Sequence, residues 1–164
     1  MWTGECLFCE EVWMIAIRHA GIYVDDMEKM EAFYKSVFQM HAICSMEPDE
    51  GELFDELLGT RNARIMTSKL ITPYGKTAGQ GDMVELVKVL SEGDCGALPE
   101  ERPISMIGMN HLAFQVEDIA ASVDGILKNG GQRRTGIKEM RNGNKCCFCT
   151  DPEGNWIELI ERRN

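Results

Sequence analysis

The segment Ile17-Arg18-His19-Ala20-Gly21-Ile22-Tyr23-Val24-Asp25-Asp26 returns later as Met109-Asn110-His111-Leu112-Ala113-Phe114-Gln115-Val116-Glu117-Asp118. The histidines coincide, the valines coincide, and an acidic pair closes both. A second match sets Asp82-Met83-Val84-Glu85-Leu86-Val87-Lys88 beside Asn155-Trp156-Ile157-Glu158-Leu159-Ile160-Glu161. A chain with such self-similarity folds as two copies of one supersecondary unit. Each copy runs from a histidine strand to a glutamate strand.

The intervening stretches correspond as well. Asp25 or Asp26 can cap a helix whose apolar positions Met27, Met30, Phe33, Tyr34, Val37 and Phe38 recur at helical spacing. Asp118 can cap a second helix through Ile119, Val123, Ile126 and Leu127, ended by Asn129-Gly130-Gly131. Strands are expected at 40–47, 63–72 and 82–90 in the first copy, and at 132–140, 145–150 and 155–162 in the second. The run Asp151-Pro152-Glu153-Gly154-Asn155 is a turn joining the last two strands. A short helix is expected around Leu53–Leu58, inside the acidic stretch Glu47–Glu56. The chain therefore reads as α+β, two β-α-β-β-β modules at 14–90 and 107–164, with a Gly-, Pro- and charge-rich linker at 91–106.

Residues 1–13 fit neither period and read as an N-terminal arm. Met14 is an expected native start, because Glu10-Glu11-Val12 can be encoded by a stretch containing a bacterial ribosome-binding sequence. Cys6 and Cys9 form a lone Cys-x-x-Cys, half of what a structural zinc site needs.

Composition narrows the function. The 164 residues carry a formal net charge of -10, which argues against nucleic-acid or anionic-membrane partners. No apolar run reaches the roughly 20 residues of a transmembrane helix. The seven cysteines, an odd number in a chain too long for a disulfide-stapled scaffold, point to a reducing cytoplasmic setting.

Two of only three histidines occupy matching repeat positions. In a strand, His19, Gly21 and Tyr23 share one face, as do His111, Ala113 and Gln115. The opposite, apolar faces suit packing against the helices. Glu158 shares its face with Trp156 and Ile160, a costly place for a carboxylate unless it is paired or metal-bound. Two imidazoles, His19 and His111, and two carboxylates, Glu85 and Glu158, would satisfy one another through one divalent cation. Zinc, nickel, cobalt, manganese and iron all suit such donors, with positions left for water or substrate. His41 has no repeat counterpart and reads as a surface or supporting residue.

The basic residues Lys128, Arg133, Arg134, Lys138, Arg141 and Lys145 cluster late in the chain. They read as a solvated face, with an anionic substrate tail as the alternative. Cys146, Cys147 and Cys149 read as small core residues, and the eleven methionines as core filler.

By the repeated histidine and glutamate strands, the stretch around Phe33-Tyr34 and the ending Asp151–Glu158, the chain resembles the vicinal oxygen chelate superfamily of glyoxalases, bleomycin resistance proteins and dioxygenases. The resemblance covers about residues 14–162. It implies two modules whose curled mixed sheets enclose a divalent metal held by His19, Glu85, His111 and Glu158. The ligand identities are similar to those of bacterial glyoxalase I (lactoylglutathione lyase). That implies a lyase or isomerase shifting a proton beside a carbonyl through an enediolate, with Glu158 as base and Glu85 as ligand and second base. The resemblance further implies a small-molecule substrate, with glutathione or CoA as a portion of it, and a homodimer. The alternatives it leaves open are a methylmalonyl-CoA epimerase-like isomerase, an extradiol-type dioxygenase and a non-catalytic drug-binding resistance protein.

Overall fold

A computed structural model describes residues 16–79, 81–91, 103–105 and 107–163. The N-terminal arm, Met14, the Cys6/Cys9 pair and most of the linker lie outside the described residues.

The first unit opens with β1 (His19–Tyr23) and α1 (Met27–Phe38). Asp26 caps α1, its carboxylate accepting from Lys29 N at 3.0 Å. Gln39 ends α1 in the left-handed conformation. There follow β2 (His41–Glu50), α2 (Glu52–Leu58), β3 (Arg64–Ile71), α3 (Pro73–Ala78) and β4 (Met83–Val89). These strands form one sheet in the order β1-β4-β3-β2, with β1 parallel to β4 and the other pairs antiparallel.

The second unit contains β5 (His111–Val116), α4 (Ile119–Lys128), β6 (Gln132–Arg133), β7 (Lys138–Glu139), β8 (Lys145–Thr150) and β9 (Trp156–Glu161). Its sheet runs β5-β9-β8-β6, with β7 also on β8. Asp118 caps α4 by accepting from Ala121 N at 2.9 Å. Both helices thus begin at the aspartates that their sequences single out.

Two expectations change in detail. The strand expected at 132–140 is two short pieces, β6 and β7. Between them Arg134 and Thr135 both donate their amides to Phe148 O, which interrupts a regular ladder. The short helix α3 was not expected; Thr72 caps it, accepting from Gly75 N at 3.0 Å, and Pro73 opens it.

Both helices bury their apolar stripes in one core. Met30, Phe33 and Tyr34 of α1 join Leu70, Val84 and Leu86 from the first sheet and Ile126, Cys147, Ile157 and Leu159 from the second unit. Phe38 stacks on Phe114 with ring centroids 3.9 Å apart. Polar contacts tie the units as well. The Glu153 carboxylate accepts the amides of Asp25 and Asp26, at 3.0 and 2.7 Å, at the start of α1. Tyr34 Oη donates to buried Asp151 at 3.0 Å. With the helix-bearing faces joined in one core, the histidine–glutamate faces are the opposite ones.

Candidate functional site

Register builds the first half of the site. Parallel pairing of β1 with β4 sets His19 opposite Met83 and Gly21 opposite Glu85. Antiparallel pairing of β3 with β4 sets Lys69 opposite Glu85. His19 Nε2 lies 3.1 Å from Glu85 Oε2, and Lys69 Nζ lies 3.2 Å from Glu85 Oε1. The glutamate side chain is 18% exposed and the histidine 34%, so both are sheltered yet reachable.

The second half repeats this plan. His111 stands opposite Trp156, and Ala113 opposite Glu158. His111 Nε2 lies 3.3 Å from Glu158 Oε2, and Glu158 is 16% exposed. The neighbours differ, however. Phe148 takes the position opposite Glu158 that Lys69 takes opposite Glu85. Its ring meets His111 edge-on at 5.6 Å and Trp156 at 6.4 Å. The Arg134 guanidinium sits 5.2 Å over the Trp156 ring. Glu158 Oε1 accepts from the Cys146 thiol at 3.2 Å, and burial, then this hydrogen bond, pushes that thiol up to about 11.

Asn110 orients the second imidazole. Its amide nitrogen donates to Ile104 O, which turns Oδ1 toward His111 Nδ1 at 2.9 Å. This favours the tautomer with the proton on Nδ1 and a lone pair on Nε2, the atom facing Glu158. Histidines that bind metals are held by partners of this kind.

The four sequence-singled residues therefore come together as two pairs, His19 with Glu85 and His111 with Glu158. Among the described residues, no group of three or more His, Cys, Asp or Glu side chains could hold a metal ion. Each pair supplies one imidazole nitrogen and one carboxylate, so two pairs facing each other would furnish the two-nitrogen, two-oxygen donor set that suits a borderline divalent cation. A cleft of about 300 Å³ runs from Gly21, Ile22 and Tyr23 to Asn110, His111 and Trp156.

Other residues fall elsewhere. His41 is exposed, opposite Ile71 at the far edge of the first sheet. The basic residues 128–145 are exposed. Cys147 and Cys149 are buried core residues as expected. Cys146 is not: alternation turns it to the Glu158 side. Sequence reasoning also missed Lys69, Phe148 and Asn110. Lys69 and Phe148 become neighbours only through antiparallel register, whereas Asn110 adjoins its histidine in sequence and was open to notice.

Comparison with known proteins agrees with this architecture. The model of the Glyoxalase/Bleomycin resistance protein/Dioxygenase superfamily matches residues 16–159. The chain belongs to this superfamily. No curated protein gives a significant sequence match. Solved structures share the glyoxalase-like fold. A glyoxalase family protein from Bacillus cereus superposes with a TM-score of 0.81 at 20% identity, over 94% of this chain and 99% of that one. A glyoxalase I mutant from Zea mays gives 0.60 at 19% identity, over 90% of this chain and 45% of the maize chain. A fosfomycin resistance protein from Listeria monocytogenes, complexed with Mn(II) and sulfate, gives 0.57 at 16% identity over 92% and 95%.

Proposed function

We propose that this glyoxalase-superfamily chain is a metal-dependent lyase or isomerase that moves a proton from the carbon beside a carbonyl to the adjacent, carbonyl carbon, in the manner of lactoylglutathione lyase. The observation that supports this reading is the pair of imidazole–carboxylate couples at equivalent register positions. Each is half a ligand set, on the sheet face away from the helices. His19 and Glu85 of one copy facing His111 and Glu158 of a second copy would complete the site, which makes the working unit a homodimer. A bound divalent ion (Zn, Ni, Co, Mn or Fe) would supply Lewis acidity to two neighbouring substrate oxygens.

The chain's own groups do the rest. Asn110 holds His111 with its lone pair toward the site. Glu85, held on Oε1 by Lys69, serves as a ligand beside His19 with a secondary share in proton transfer. Glu158 takes the proton and returns it to the adjacent carbon. The substrate is a small molecule, with glutathione or CoA as a portion of it. The free thiols suit a reducing cytoplasm.

Subunit complementation tests the assembly. His19→Ala and His111→Ala chains should each be inactive as homodimers. Mixed and re-equilibrated, they should recover about one quarter of wild-type activity, because half the dimers regain one intact site. No recovery, with heterodimers present by native mass spectrometry, would refute the shared site. Metal-loaded protein should turn over the methylglyoxal–glutathione hemithioacetal. Turnover of methylmalonyl-CoA instead, oxygen uptake with catechol, or drug binding without turnover would each replace the lyase reading.

A further inference from the structure

The repeat places corresponding residues at corresponding points, so a difference between the two halves marks where the site has been made unequal. The position directly opposite the glutamate is such a point. It is Lys69 in the first half and Phe148 in the second. The ammonium lies 3.2 Å from Glu85 Oε1, on the open face of the sheet and 40% exposed. Phe148 instead joins His111 and Trp156 in an aromatic wall. One flank of the completed site carries the Lys69 ammonium against its glutamate; the other is an aromatic wall with the Arg134 guanidinium over the Trp156 ring.

Charge counting gives this asymmetry a purpose. A divalent ion with two carboxylates and two neutral imidazoles sums to zero, which leaves only the ion's own open positions to draw an anion. Lys69 raises the sum to plus one. Its three donors can bind Glu85 and still leave hydrogens for a second acceptor.

We propose that Lys69 is the specificity-determining residue of the site, its ammonium holding a carboxylate, phosphate or phosphonate group of the substrate, while the Phe148 side of the site receives an apolar portion. This rests on the metal-centre reading above, and the two can fail separately. Calorimetry would first measure Mn(II) binding to the wild type and to the Lys69→Met and Lys69→Arg chains, then methylphosphonate binding to each Mn(II)-loaded protein. Mn(II) should still bind every chain, and methylphosphonate is titrated at saturating Mn(II) so that any change in metal affinity is separated from anion binding. Methylphosphonate affinity should fall about tenfold or more in Lys69→Met and be largely kept in Lys69→Arg. Equal methylphosphonate binding by wild type and Lys69→Met, with Mn(II) bound, would overturn the role of Lys69 and leave the metal centre standing. Absence of Mn(II) binding by the wild type would overturn the metal centre and this proposal together.

Discussion

At the scale of single residues, the site is set by what holds each donor. Asn110 Oδ1 at 2.9 Å from His111 Nδ1 selects the atom that can bind a cation. Asn110→Ala should therefore weaken metal affinity by about 10- to 100-fold while leaving the fold intact, as read by metal titration and circular dichroism. Glu158→Gln should keep bound metal and lose proton exchange at the substrate carbon, followed by NMR in deuterated water. Retained exchange would show that the base lies elsewhere. His19, His111, Glu85 and Glu158 were legible in the sequence because duplication repeats them in step. Lys69 was not, because one sequence shows which residues share a strand face but not which stand across from each other. Cys146 could have been placed by alternation from Cys147, but three nearly adjacent cysteines invite reading as one core group.

At the scale of elements, helices were easier to read than strands. Their caps and stripes are local, and Asp26, Asp118 and the Asn129-Gly130-Gly131 stop all lie beside the turns they control. Gly131 is needed for a close approach: a Cβ there would lie 2.4 Å from Thr150 O and 2.6 Å from Ile126 Cγ2. Gly131→Ala should cost about 2–4 kcal/mol, seen as a lower denaturation midpoint. The α1 residue Glu31 is buried although its neighbours in sequence give no sign of it. Ser68 Oγ on β3 donates to it at 2.5 Å, Ser45 at 2.7 Å, and Lys35 pairs with it. Burial alone would push its carboxyl up, but the hydrogen bonds from Lys35, Ser68 and Ser45 outweigh it and hold the group below its ordinary value. Its contribution is thus present at neutral pH and lost as pH falls through that lowered value. Glu31→Gln should be less stable than wild type by about 1–3 kcal/mol at pH 7, the gap closing in acid. The broken strand over 132–139 escaped sequence reading because the amides of Arg134 and Thr135 meet at a single distant carbonyl.

At the scale of the whole molecule, the repeat told of two like units but not how they meet. That depends on which apolar faces find each other, and both helices and both sheets offer one. Phe38 on Phe114 and Tyr34 on Asp151 show the outcome. Tyr34→Phe should cost about 1–3 kcal/mol, because Asp151 is left buried with one donor fewer; chemical denaturation would measure it. Among the described residues no third metal-binding side chain joins either donor pair, so the proposed centre draws its other pair from a second copy.

The Glu153 carboxylate beneath the amides of Asp25 and Asp26 has a further consequence. The opening turn of α1 takes its counter-charge from a hairpin more than 120 residues downstream. During synthesis, the earlier half leaves the ribosome with that turn unfinished. A gene cut within the connecting segment should yield two polypeptides that stay poorly structured apart and regain cooperative melting once mixed.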